Sequence, residues 1–250
     1  MVASRTNRVI CIALVLTCVS PILSPTPAYA DWIAGRDMAL NERPNGAHEL
    51  SNPNPTVPEW SYGYRATVSD PGLALFNSTH HYNDAGGYSE FDGWVYLPEF
   101  GPTVMVNASN SDIVIGALDP LHSHEMALHP GPALFSVVRW TVPASGSYQI
   151  NAYWDHIDPA GGGDGVSAFV VHNGDSIFGE NLGNGGAAGY LDTLSLLAND
   201  TLDFVVTPNI GFSSESTAFD VQIEAVPEPS SIVLLVAALA GLGIFARSKR

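Results

Sequence analysis

The sequence predicts an all-β protein: an antiparallel β-sandwich of jelly-roll type, followed by a single C-terminal transmembrane helix. Three observations predict it. No helical periodicity of apolar residues runs between Asp31 and Val226. The chain there alternates apolar and polar residues in short runs, the period-two pattern of half-buried strands. Gly, Pro, Asn and Asp separate those runs, as turns separate the strands of a sandwich.

Residues 31–58, with Pro44, Pro53, Pro55 and Pro58, read as a loosely ordered lead-in. The sandwich is expected over 59–225. Its early strands are weakly marked: 62–68, 73–76, 94–97, 103–106 and 113–115. Residues 136–142 are rich in β-branched and aromatic side chains, and the turn Pro143-Ala144-Ser145-Gly146 follows. The run 147–154 then places Tyr148, Ile150, Ala152 and Trp154 on one face, so a hairpin of 136–142 with 147–154 is expected. Strands follow at 166–172, with Val166, Ala168, Val170 and His172 on one side, and at 190–197. After a turn at Ala198-Asn199-Asp200, residues 201–206 put Leu202, Phe204 and Val206 on one face. The strand 217–224 opposes Phe219, Val221 and Ile223 to Ala218, Asp220 and Gln222.

The two ends carry addresses. Arg5 and Arg8 precede an uncharged apolar run, 9–19, and Ala28 and Ala30 occupy the two positions that signal peptidase reads. Residues 1–30 are therefore a signal peptide whose removal leaves Asp31 first. An uncleaved anchor is the competing reading. The run is too short to span a bilayer comfortably, and Pro21, Pro25 and Pro27 break it. At the other end, Val226-Pro227-Glu228-Pro229 is followed by an apolar helix over 231–246 and the basic stop Arg247, Lys249 and Arg250. The apolar run from Ile232 would reach roughly 22 Å at about 1.5 Å per residue. That is short against a hydrocarbon core of about 30 Å. Two prolines keep the motif extended and remove two N–H donors, so it can join neither helix nor sheet.

Motif, short helix and basic tail together resemble the PEP-CTERM sorting signals of Gram-negative, planctomycete-type bacteria. The resemblance covers 226–250. It implies recognition and processing by exosortase, transient anchoring in the inner membrane, and export to the envelope or extracellular matrix, beside exopolysaccharide. Residues 60–225 more diffusely resemble exported β-sandwich domains and some carbohydrate-binding modules.

Composition narrows the partners. Cys11 and Cys18 both lie in the signal peptide, so the mature chain has no disulfide. Between Asp31 and Val226, 24 acidic residues against four arginines and no lysine leave a net charge of −20. Nucleic acid is excluded as a partner. The acidity suits a solvated surface or divalent cations.

Three constellations could carry chemistry. Asp155, Asp158 and Asp164 flank a glycine run, 161–163, where carboxylates and carbonyls could gather around calcium. His122, His124 and His129 could ligate a transition metal through imidazole nitrogens, although Pro120, Pro130 and Pro132 make that segment a loop. Trp60, Tyr62, Tyr64, Trp94 and Tyr96 could stack on sugars, or could simply be core. No nucleophile elbow and no zinc-protease motif is present. The leading expectation is a non-catalytic structural or adhesive protein. A glycan-binding module is the alternative, and a hydrolase with an unrecognised carboxylate pair comes third.

Overall fold

The computed structural model describes residues 31–41, 52–82, 91–96, 101–114 and 118–226. The chain begins with β1 (Asp31–Ile33) and α1 (Ala34–Asn41). The strands β2 (Trp60–Arg65), β3 (Ala74–Leu75), β4 (Thr79–Tyr82), β5 (Phe91–Val95) and β6 (Thr103–Asn107) follow. Next come β7 (Met126–His129), β8 (Phe135–Thr141), β9 (Gly146–His156) and, after a 3₁₀ turn at Pro159–Gly161, β10 (Val166–His172). The last four are β11 (Asp175–Leu182), β12 (Ala187–Leu196), β13 (Thr201–Pro208) and β14 (Thr217–Val226).

These strands form two antiparallel sheets. One runs β12-β9-β14-β7-β6-β5-β4, with β1 also on β14; the other runs β11-β10-β13-β8-β2-β3. The part from β7 onward sets β12-β9-β14-β7 against β11-β10-β13-β8, the strand order of a jelly roll. The core lies between the sheets and is built by strict alternation. Val138 and Trp140, Tyr148 to Trp154 at every second residue, Leu202, Phe204 and Val206, and Phe219, Val221 and Ile223 all point into it. Trp60, Trp140, Trp154, Phe204 and Phe219 are fully buried. Each contributes on the order of 4–6 kcal/mol of apolar burial as an upper bound, which supplies the stability that disulfides do not.

The faces of β9, β13 and β14 are those that alternation predicts. The hairpin is not. β8 belongs to one sheet and β9 to the other, so Pro143–Gly146 is a corner that crosses the core. Trp140 and Tyr148 meet edge to face across it at 5.1 Å, and the Tyr148 hydroxyl donates to the Ala144 carbonyl at 2.6 Å. Both strands are apolar on their inward face, and a shared core serves that pattern as well as a shared ladder does.

Three further expectations are corrected. The lead-in is partly integral, because Trp32, Ala34 and Met38 of β1 and α1 are buried in the core. The histidine segment is not all loop: Met126 and Leu128 point inward on β7, which lies between β14 and β6. Of 113–115, only Ile113 forms a bridge, to Leu121, among the described residues. β11 escapes the sequence because it is an edge strand with a largely exposed surface, which demands no apolar alternation. In β10 the alternation against β13 runs unbroken to the end, with Val171 opposite Asp203 on the outer face and His172 opposite Leu202 on the face of Val170, where at the strand end it meets Asp200 at 3.1 Å; the register shift lies against β11, whose Ile177 is the extra residue. The C-terminal helix expected over 231–246 lies outside the described residues. Among the described ones, no helix is long and apolar enough to cross a membrane.

Candidate functional site

The five aromatic residues share inward faces and separate by depth along their strands. Trp60, Tyr62 and Trp94 are core side chains. The Trp60 indole N–H donates to Asp37 Oδ2 at 2.9 Å, and burial pushes the Tyr62 phenol well above its ordinary range. Tyr64 and Tyr96 lie at the margin, half-buried, with ring centroids 4.7 Å apart in an edge arrangement; Phe76 lies 5.3 Å from Tyr64. Beside Tyr64 opens a cleft of about 440 Å³ between the β2–β3 loop and Leu134, with Arg65, Ala66, Asp70 and Leu73 among its lining. Of the five expected stacking residues, only Tyr64 and Tyr96 keep partly exposed rings.

The outer face of the β8-β13 sheet carries a charge cluster that the sequence does not reveal. Arg139 grips the fully buried Asp203 with both nitrogens of one fork: Nε to Oδ1 at 2.6 Å and Nη2 to Oδ2 at 2.8 Å. Arg65 Nη1 donates to the same Oδ2 at 2.7 Å and to the Asp70 carbonyl at 2.5 Å. Desolvation pulls the Arg65 guanidinium below its ordinary value, against the field of Asp203. The loop 66–73 is held over the pair, since Arg139 Nη2 also donates to the Pro71 carbonyl at 2.8 Å. Val137, Val171 and Val205 pack beneath that loop against Val68 and Leu73. Gly63 makes the crossing possible: a Cβ there would stand 2.4 Å from the Ala74 carbonyl oxygen. Alternation places Arg139 and Asp203 on outward faces, but only the β8–β13 register puts them opposite each other.

The acidic glycine loop is tied by hydrogen bonds within the chain. Asp164 turns its carboxylate onto the backbone N–H groups of Ile210 (2.8 Å) and Gly211 (3.1 Å), which hold it below the usual carboxylate range. Its own N–H donates to Glu215 Oε1 at 2.9 Å. Glu215 Oε2 lies 3.0 Å from His156 Nε2, and both side chains are fully buried. His156 Nδ1 accepts the Gly185 N–H at 3.0 Å, so the imidazole hydrogen sits on Nε2, facing Glu215. One buried pair thus ties three loops together. Glycine is required because a Cβ on Gly163 would lie 2.5 Å from the Ser214 carbonyl oxygen and 2.6 Å from Glu215 Oε1. Asp155 stays within β9, opposite Ala218, and Asp158 precedes the 3₁₀ turn.

The three histidines also part. His122 is exposed, with Nδ1 3.1 Å from Asp112 Oδ2. His124 occupies a left-handed turn position at φ 61°. His129 Nδ1 bonds the Pro130 carbonyl at 2.8 Å, and burial lowers its pKa. Among the described residues, no three His, Cys, Asp or Glu side chains converge to hold a metal ion. Neither the calcium set nor the transition-metal set is assembled. Missed from sequence was His156, although it continues the inward alternation from Tyr148 to Trp154 by one more step.

The two ends of the described domain lie together. Asp31, the residue after the signal-cleavage alanines, pairs with Glu224, and Val226 pairs with Ser147. Ala28 and Ala30, Pro227 to Pro229 and the basic tail lie outside the described residues. By fold, the chain is an antiparallel β-sandwich. By address, it is an exported, envelope-directed protein: residues 225–250 match the PEP-CTERM protein-sorting motif, which implies processing by exosortase. No curated protein matches the chain. Among solved structures, it is similar to CBM51 from Clostridium perfringens GH95 in complex with methyl-galactose, at 11% identity and TM-score 0.35 over 61% of this chain and 95% of that one. It is also similar to the CBM36-1 domain of a multidomain xylanase from the hindgut metagenome of Trinervitermes trinervoides, at 16% identity and TM-score 0.31 over 51% and 99%. A third is a family 35 carbohydrate-binding module from Clostridium thermocellum, at 11% and 0.28 over 61% and 92%. All three are remote in sequence and in superposition.

Proposed function

We propose that this protein is a non-catalytic structural or adhesive component of the cell envelope or extracellular matrix. Signal peptidase frees its N-terminus, the C-terminal helix holds it briefly at the inner membrane, and exosortase trims it. The observation that carries this reading is the abutment of address and fold: β14 is paired through Val226, and the match to the sorting motif begins at residue 225, within the end of that strand. The folded domain would thus be presented at the membrane with no linker of its own. Fractionation of cells producing the native protein, with mass spectrometry of both ends, tests it. Envelope or matrix location with a shortened C-terminus is expected. Cytosolic protein with both ends intact would overturn it.

A second reading, exopolysaccharide binding, is favoured by one observation: the half-buried Tyr64–Tyr96 pair beside the Leu134 cleft. Aromatic faces at a cleft margin stack on the apolar faces of sugar rings. Retention on polysaccharide gels, lost on Tyr64→Ala, is the expected result.

A further inference from the structure

We propose that the cleft between the β2–β3 loop and Leu134 takes a carboxylate-bearing sugar, a uronate residue of an acidic glycan, whose carboxylate docks on the free fork of Arg65. The inference rests on the glycan reading of this cleft and adds its ligand class.

The geometry points there in three steps. A guanidinium offers Nε–H and Nη2–H as a parallel pair that matches the two oxygens of one carboxylate. Arg139 uses that pair on Asp203. On Arg65 the same two atoms, Nε and Nη2, are buried and have no hydrogen-bond partner, while Nη1 alone serves Asp203 and the Asp70 carbonyl. The Arg65 side chain is only 1% exposed, and it lines the cleft. A buried charged donor left unpaired is costly, and two such donors in fork geometry are the complement of a carboxylate.

Arg65 and Arg139 outnumber Asp203 within the cluster, and Asp70 at the cleft supplies the balancing charge, so an incoming carboxylate competes with Asp70 for the Arg65 guanidinium. The surrounding negative field opposes a polyanion, so recognition falls to a single uronate at the fork and not to the length of the polymer. Tyr64 and Leu134 supply apolar surface for the ring. Asp70, also at the cleft, is the opposing group. Its Oδ1 caps the loop by accepting the Gly72 N–H at 2.8 Å, and its charge weakens the site. The two free N–H groups are closed to solvent, so the cleft wall must shift for the carboxylate to enter.

The test uses the full-length protein in detergent, titrated calorimetrically with oligogalacturonate, with the same oligomer fully methyl-esterified, and with a sulfated galactan. The free acid is expected to bind about tenfold more tightly than the ester, the worth of one charge-assisted pair, with affinity falling as salt rises. Arg65→Gln should abolish the preference. Because that variant also disturbs Asp203, two changes at exposed cleft residues accompany it. Ala66→Asp should weaken acid binding at least about fivefold, and Asp70→Asn should strengthen it. Equal affinity for acid and ester overturns the uronate assignment and leaves the glycan reading standing. Sulfated galactan binding as tightly as the acid overturns the carboxylate assignment. No binding of any of the three overturns both readings.

Discussion

Asp31 stands directly across an antiparallel ladder from Glu224, so the start of β1 and the approach to the sorting signal lie side by side. On this edge β14 is shared: β7 covers Thr217 to Phe219, and β1 covers Gln222 to Glu224. Signal peptidase needs an extended, unpaired segment around its cut. Under the proposed cleavage before Asp31, the cut would precede the docking of β1, which closes the gap that β7 leaves.

The first prediction concerns the trimmed end. β14 pairs with β9 through Val226–Ser147, so a protease acting on the folded domain reaches only the chain beyond Val226. The processed protein is expected to retain Val226, with its C-terminus at or after Pro227. Intact-mass and peptide analysis of the native protein checks this. A terminus upstream of Glu224 would mean that the domain is cut before it folds.

The second concerns β1 itself. Trp32 lies 5.2 Å from Trp140 and 6.0 Å from Tyr148, ring to ring, and anchors the strand in the core. Trp32→Ala is expected to cost about 3–5 kcal/mol, read from urea unfolding. A loss under ~1 kcal/mol would mean that β1 and α1 are ornamental to the sandwich.

The third concerns the arginine clamp. Asp203→Ala leaves two guanidiniums facing one another beneath the 66–73 loop. Its expected cost is about 3–5 kcal/mol, the penalty of uncompensated buried charge. Arg139→Gln leaves Asp203 its bond to Arg65 and should cost less. Equal losses for the two would show that Arg65 alone does not compensate the buried Asp203 carboxylate.

The fourth concerns the glycine loop. Gly163→Ala pushes a methyl group against the Ser214 carbonyl and Glu215, whereas Gly183→Ala meets nothing within 4 Å. The first should destabilise by about 1–3 kcal/mol and the second by under ~0.5 kcal/mol. Neither effect should depend on calcium, since Asp164 spends both oxygens on backbone N–H groups. A melting temperature raised by calcium over chelator would restore the cation reading of Asp155, Asp158 and Asp164.

What the chain discloses follows from the range of each signal. Strand faces are local, and the parity of Leu202, Phe204 and Val206, or of Tyr148 to Trp154, could be read directly. Sheet membership is not local: nothing in 136–154 distinguishes a hairpin from a corner, because both bury the same residues. The sorting tail was legible because proline, apolar run and basic stop act in sequence order. The Arg65–Asp203–Arg139 cluster and the His156–Glu215 pair join residues 138, 64 and 59 positions apart. Only strand register brings them together, so composition suggested loop carboxylates and clustered histidines instead.

The fifth prediction is a stability maximum on the acid side of neutrality. Burial pushes Asp220 above its ordinary value; Gly35 (3.5 Å) and Val221 (2.8 Å) donate to its Oδ1, and Asp37 adds to the rise. Burial also raises Glu125, helped by Asp220 and Asp155, and raises Glu215. A carboxyl raised in the folded state favours folding when protonated, and that gain is lost as pH climbs through the raised value. Asp164 and Asp200 are held low by backbone N–H groups, from Gly211 and Ile210 and from Leu197. Their contribution is present above the ordinary aspartate value of 3.8 and disappears as pH falls through their depressed values. Relief of self-repulsion on a chain this acidic acts in the same direction as the first group. The melting temperature is therefore expected to rise from pH 7 to about pH 5 and to fall below about pH 3.8. Asp220→Asn keeps an oxygen for the two backbone donors and removes the charge. It should raise the melting temperature at pH 7 and shrink the gain on acidification. A melting temperature that drops steadily from pH 7 to pH 5, with Asp220→Asn neutral throughout, would show that the buried carboxylates of this sheet stay charged at no cost.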